Sequence, residues 1–398
     1  MGVMRYAYGL LGLVLFVLPV SASAATSFEV TGWIPYWRTA TGTADVLPHL
    51  SELTEVNPFV YTLKSDGTLY DNGGLDTEPW LSFVSAAKAQ KVRVIPTVMS
   101  PGGAALHAIL SNTTKRVALE TNIANLVKQK GYDGIDIDFE GKEAADKNYF
   151  STFLKGLYQR MGTKWVMCDI EARTPLDSRY YGTTIPPDAS IYANDFVQIN
   201  KYCDRVRLMT YDQQGVDQQL ATAAASSSQI YAPIADPAWV TKVVKLAEQS
   251  INKNKILIGV PTYGYEYDVT TYAGGQFTYD TLWTFNPAYA STTAAQYGIV
   301  PSRNSSGEMQ FTYFPAASTT APVSSSLIPA LGTANAATAY ADSLNSHQSF
   351  RLVDWPDAQS IASKAALAKS LGVRGISIFK LDGEEDPNMW AALLGVKR

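Results

Sequence analysis

The stretch GYDGIDIDFEG, Gly131 to Gly141, sets three acids against three apolar residues: Asp136, Asp138 and Glu140 alternate with Ile135, Ile137 and Phe139. On a β-strand, side chains at i, i+2 and i+4 share a face. The acids therefore form one row, with about 7 Å between neighbours along the strand. A row of carboxyls withdrawn from water is costly unless its members share protons or find partners. Three neighbours do not all ionise readily, so the row titrates as a set and keeps at least one proton. The chemistry on offer is acid catalysis, with Glu140 at the C-terminal end holding a proton near neutral pH for a leaving group. Asp138, one step deeper, accepts a hydrogen bond from a bound substrate or exchanges a proton with Asp136. Taken alone, the row also fits a half-exposed strand with a polar solvent face, or a metal site. A calcium loop, however, needs a glycine turn and a distal Glu at a spacing this stretch lacks.

The elements that carry the row decide between these readings. Strand-like runs recur at Phe28–Trp37, Glu55–Lys64, Lys91–Gly103, Tyr132–Glu140, Lys164–Pro175, Cys203–Gln214, Lys255–Tyr267 and Val373–Asp386. Most of them are separated by longer amphipathic, helical patterns. Strand and helix in alternation predict a parallel β/α architecture, and eight such units predict a closed (β/α)8 TIM barrel. On the fourth strand of a barrel, an inward polar face reaches solvent only at the mouth formed by the strand C-terminal ends. That position selects the catalytic reading. Residues 25–267 are read as barrel strands one to seven, and 351–398 as barrel completion with strand eight. Residues 268–350, rich in Thr, Ser, Ala, Gly and Tyr, are read as a small α+β insertion or a disordered excursion. Their low-complexity middle, from Pro315 to Ser343, is expected to be loop-like.

Composition narrows the class of partner. The chain has 398 residues, 46% hydrophobic and 17% charged, which supplies a large core. Its net charge of −4 offers no nucleic-acid or anionic-membrane surface. With 23 Tyr and 8 Trp, a neutral ligand held by ring stacking suits the composition, as does a large core. His49, His107 and His347 are scattered without ligand spacing, so no metal centre and no cofactor are expected. Cys168 and Cys203 are read as two buried free thiols, with one disulfide as the alternative. Residues 1–24 carry Arg5, an apolar run from Gly9 to Val20 and the small-residue end Ala22-Ser23-Ala24. This reads as a secretory signal peptide cleaved after Ala24, against the alternative of an uncleaved anchor. No later segment is apolar and long enough to span a bilayer, so the expected mature protein is a secreted, soluble monomer.

The segment DGIDIDFE, Asp133–Glu140, resembles the D-G-x-D-x-D-x-E signature of glycoside hydrolase family 18, the chitinase family. SPGG at Ser100–Gly103 resembles that family's S-x-G-G motif, and LMTYD at Leu208–Asp212 its M-x-Y-D motif. IPYW, VPTYGYEY and FKLDGEEDP look most like the bacterial branch related to spore-cortex-lytic and spore-germination hydrolases. The resemblance implies retaining cleavage of β-1,4 bonds at N-acetylglucosamine, with the substrate's own acetamido oxygen as nucleophile. It makes Glu140 the acid and later the base, and Asp138 the partner of the acetamido N–H. Asp136 relays charge behind it, Tyr211 donates to the acetamido oxygen, and Asp212 binds sugar hydroxyls. Strand parity turns Met209 and Tyr211 inward together. The implied partner is a polysaccharide containing N-acetylglucosamine; a non-hydrolytic chitinase-like lectin is the alternative. One departure stands out: Phe379 occupies the place where the family usually ends its eighth strand with the Trp that floors the reacting-sugar subsite. Tyr36 and Tyr263, together with Trp33, Trp37, Tyr265 and Tyr267, lie near strand ends as further stacking surfaces or as core.

Overall fold

The structure is a computed structural model that describes residues 1, 27–226, 229–315 and 332–397. The signal-peptide reading thus falls almost entirely outside the described residues. The expected (β/α)8 barrel is what the chain forms. Its strands are β1 (Glu29–Pro35), β2 (Glu55–Leu63), β3 (Arg93–Val94 and Thr97–Met99), β4 (Gly134–Asp138), β5 (Trp165–Glu171), β6 (Arg205–Met209), β7 (Ile256–Pro261) and β8 (Gly375–Phe379). Neighbours pair in parallel, and β1 closes the ring by pairing β8 through Glu29↔Gly375 and β2 through Thr31↔Glu55. The break in β3 falls at Ile95-Pro96, where proline supplies no N–H to the ladder.

Period-two alternation divides each strand between two environments. On β4, Ile135 and Ile137 are fully buried on the outer face, followed by Phe139. Phe139 packs against Phe153 and Phe150 of the helix Lys147–Met161, at ring-centroid distances of 5.3 and 6.3 Å. Burying one such side chain contributes about 1.5–3 kcal/mol. A one-residue slip would drive the acids into this apolar layer, so the register of the acidic row is strongly specified.

Between β7 and β8 the chain builds a second, five-stranded antiparallel sheet. Its order is Gln276–Phe285, Gly264–Tyr272, His347–Trp355, Met309–Tyr313 and Ser302–Arg303. Its strand Gly264–Tyr272 starts almost where β7 ends, so this sheet rises directly from the barrel mouth. Within the stretch read as loop-like, Thr333–Leu344 is instead an α-helix. Alanine carries the highest helix propensity, and Ala336, Ala337 and Ala341 bury a small-residue face. Residues 316–331 of that stretch lie outside the described residues.

The free-thiol reading is corrected: Cys168 and Cys203 form a disulfide, with Cα atoms 6.0 Å apart. Cys168 lies on the outer, core-facing side of β5, paired in register with Val206 of β6. Cys203 ends the helix Phe196–Tyr202 just before β6 begins. The two residues are 35 apart in sequence and meet because parallel neighbours bring the chain back to the same end of the sheet.

Candidate active site

The inner face of the barrel is polar at depth. Asp136 is completely buried, and its Oδ2 accepts from Trp33 Nε1 at 2.9 Å and from Thr97 Oγ1 at 2.7 Å. Its Oδ1 lies 2.5 Å from Nη1 of Arg207, a fully buried guanidinium on β6. Arg207 also pairs with Glu55, donates to Asn57 Oδ1 at 3.0 Å, and stands 3.6 Å from Asp169. None of Arg207, Glu55, Asn57 or Asp169 was singled out from the sequence. The signal for Arg207 was available: it precedes Met209 and Tyr211 at two-residue steps on the face already read as inward.

The row is therefore not uniform. Asp136 is engaged by Trp33, Thr97 and Arg207, and Asp169 of β5 is hydrogen-bonded to it as well. The hydrogen bond within the acid pair runs between Asp138 and Glu140. Burial pushes the Asp138 carboxyl well above the ordinary carboxylate range; the charges of Glu140 and Asp136 add to this, and Lys142 opposes it. Glu140 is also raised, first by desolvation and then by the charge of Glu171; its hydrogen bond to Asp138 and the charge of Lys142 pull it partly back.

Glu140 lies just past the end of β4 and is exposed to a cavity of about 490 Å³, shared with Asp138, Phe59, Met99, Ser100, Gly102 and Gly141. The SPGG turn holds this edge. Ser100 N donates to Asp138 O at 3.0 Å, and Ser100 Oγ donates to Glu140 O at 3.1 Å. Gly103 follows so close that a Cβ there would stand 2.4 Å from Gly141 O. Only glycine permits that approach.

Tyr211, Asp212, Tyr263 and Phe379 gather on the side of the mouth nearest the second sheet. The Tyr211 and Phe379 rings stack at 5.7 Å, and Phe379 also meets Trp33, Phe59 and Tyr263 edge-on at 5.8–6.0 Å. Room for Tyr211 comes from Gly259 of β7, where a Cβ would stand 2.7 Å from Tyr211 Cε1. Burial raises the Tyr211 phenol well above its ordinary range, so it keeps its proton as a donor. Asp212 adopts the left-handed backbone region, φ 58°, which Asp tolerates better than most residues. Its Oδ1 accepts from both Tyr263 Oη at 2.5 Å and Tyr265 Oη at 2.6 Å. Asp212, Tyr263, Tyr265 and Phe379 line a cavity of about 590 Å³ with Trp37, Arg38 and Lys380. Tyr36 is separate, 38% exposed and packed edge-on against Trp37, which lines the cavity in its place. Met209, half-buried at the end of β6, stands beside Glu171.

The arrangement offers two hydrogen-bonded carboxyls at a cleft, both raised above the ordinary carboxylate range, with a phenol donor and an aromatic floor beside them. That set can deliver a proton to a leaving oxygen and hold a polar group beside the reacting centre.

Comparison with known proteins agrees in extent. The family model Glycosyl hydrolases family 18 matches residues 30–384. The uncharacterized glycosylase YvbX of Bacillus subtilis is 21% identical over 353 residues, 86% of this chain and 86% of that protein. The spore cortex-lytic enzyme SleL of Bacillus megaterium has a TM-score of 0.66 at 20% identity, over 94% of this chain and 75% of that one. A chitinase from Chromobacterium violaceum has a TM-score of 0.68 at 20% identity, over 93% of this chain and 99% of that one. Both structural likenesses concern the fold.

Proposed function

The chain belongs to the glycosyl hydrolases of family 18 and is a glycoside hydrolase; from that premise we propose that it cleaves β-1,4 bonds at N-acetylglucosamine with retention, through an oxazolinium ion formed by the substrate's own acetamido group. The observation that carries this reading is the Asp138–Glu140 pair: two hydrogen-bonded carboxyls, both raised, open to one cavity. In the proposed sequence Glu140 protonates the glycosidic oxygen as the acetamido oxygen attacks the anomeric carbon. Asp138 accepts the acetamido N–H and offsets the positive charge of the ring that forms. Asp136, held by Arg207, stands behind as a fixed negative charge. Tyr211 donates to the acetamido oxygen and so aims the nucleophile. Asp212, with its orientation set by Tyr263 and Tyr265, accepts from sugar hydroxyls. Glu140, now a carboxylate, takes a proton from the water that opens the oxazolinium ion. A lectin would have no need of a proton donor poised over the cleft.

The substrate is an N-acetylglucosamine polymer, peptidoglycan or chitin, met outside the cytoplasm. Extracellular action is supported by the leader-like residues 1–24 and by the Cys168–Cys203 disulfide, a linkage that persists in oxidising compartments. Among the described residues no helix is long and apolar enough to cross a membrane.

A thiazoline analogue of the oxazolinium ion is expected to inhibit competitively and more tightly than the product sugar. Indifference to it would remove acetamido participation. Mass analysis of parallel digests of peptidoglycan and chitohexaose identifies the polymer. For Phe379→Trp, the larger ring extends the apolar floor beside Tyr211, and oligosaccharide affinity is expected to rise by about 0.5–1.5 kcal/mol. Titration calorimetry on a Glu140→Gln background measures this directly; unchanged or weaker binding would mean that Phe379 is not the floor.

A further inference from the structure

Lys142 lies two residues past Glu140, and its side chain is only 1% exposed. Its Nζ donates to the carbonyl oxygen of Phe139, stands 3.5 Å from Glu171 Oε1, and sits 4.8 Å over the Phe150 ring. Burial pushes this lysine below its ordinary range, and the surrounding acids oppose that shift and hold the ammonium. These come from separate elements: Glu171 from β5, Asp138 from β4, and Glu140 from the segment that follows it. Glu171 is itself fixed, since Asn194 Nδ2 donates to its Oε2 at 2.6 Å. Two more acids face the pair: Asp136 below, engaged by Arg207, and Asp212 across the mouth.

The backbone around Glu140 is thereby held from two sides. Lys142 binds the carbonyl of Phe139, while Ser100 binds the carbonyls of Asp138 and Glu140. We propose that Lys142 is a positioning residue for the acid: its buried ammonium clamps the Phe139–Glu140 peptide and supplies the positive charge against which Glu140 stands as a carboxylate between its two proton transfers. The proposal rests on the acid–base assignment of Glu140 made above. Lys142 itself transfers no proton. When Glu140 gives its proton to the leaving oxygen, negative charge appears on Glu140 between Glu171 and Asp212, and the nearby ammonium compensates it. Glu171 acts in the opposite sense, favouring the protonated acid. The two side chains form an opposed pair that poises Glu140.

The test uses the full chain carrying ¹³C-labelled glutamate carboxyls, with the Glu140 resonance assigned by its loss in Glu140→Gln. Lys142→Met removes the positive charge, and the Glu140 titration midpoint is expected to move up by about one pH unit. Glu171→Gln removes a negative charge, and the midpoint is expected to move down. Lys142→Arg keeps the charge and should restore a midpoint near that of the wild type. The alkaline limb of kcat/KM should follow each midpoint, with KM changed less than kcat. An unmoved midpoint in a folded Lys142→Met protein overturns the proposal, as does a shift of the same sign in Lys142→Met and Glu171→Gln. If Lys142→Met does not fold, Lys142→Arg and Glu171→Gln decide, and a midpoint unmoved in Glu171→Gln overturns it. The carboxyl titration is read without turnover, so failure of the hydrolase reading shows separately, as activity that survives in Glu140→Gln.

Discussion

Glu140→Gln is expected to abolish hydrolysis and leave oligosaccharide binding almost unchanged. The amide matches the carboxyl in size and still fits the cavity between Asp138 and the SPGG turn, but it has no proton to give. General acid catalysis contributes about 10²–10⁴-fold, so kcat should fall by at least that range. The same group is proposed to serve again as base, so both halves of the reaction lose their catalyst. Binding calorimetry with a chito-oligosaccharide should show affinity within a factor of about ten of the wild type, about 1.4 kcal/mol. Turnover near wild type would remove Glu140 from the mechanism, whatever the fold. A parallel loss of affinity would mean that the carboxyl mainly holds substrate.

Arg207→Met is expected to destabilise the whole barrel. The guanidinium is fully buried and meets Asp136, Glu55 and Asp169, none of which has an easy route to water. Removing one partner of a buried ion pair costs about 3–5 kcal/mol, because the remaining charges stay desolvated without compensation. Domains are stable by only about 5–15 kcal/mol, so the change takes a large share of the total. Urea denaturation monitored by tryptophan fluorescence measures it. A loss below about 1 kcal/mol would show that Asp136 and Glu55 are compensated by other groups. Glu55 has one such group in Arg93, 3.1 Å away, whereas Asp136 would keep no cation, only the donors Trp33 and Thr97 and its hydrogen bond with Asp169.

The buried guanidinium also bears on the acidic row. By occupying Oδ1 of Asp136, Arg207 leaves the hydrogen bond between Asp138 and Glu140 at the outer end of the row, next to the cavity. Stability and acid chemistry thus meet at one side chain. Lys142 continues the pattern one layer higher, as a second buried cation set among carboxyls.

The barrel, the face on which the acids stand and the identity of the outermost acid are all legible in the pattern of residues along the chain. Periodicity and motif spacing are local properties: Ile135, Ile137 and Phe139 must be buried, so Asp136, Asp138 and Glu140 must point inward. The partners that the acids meet are a property of the closed fold. Arg207 lies 71 positions after Asp136 and reaches it across a closed interior, and Cys203 meets Cys168 after a 35-residue excursion. Trp37 rather than Tyr36 lines the cleft, where its ring also meets Phe59 of β2 edge-on, a contact between separate segments that neighbouring positions in the chain do not reveal. Charge pairing within a barrel depends on which strands face one another across the axis, and strand spacing along the chain carries no record of that.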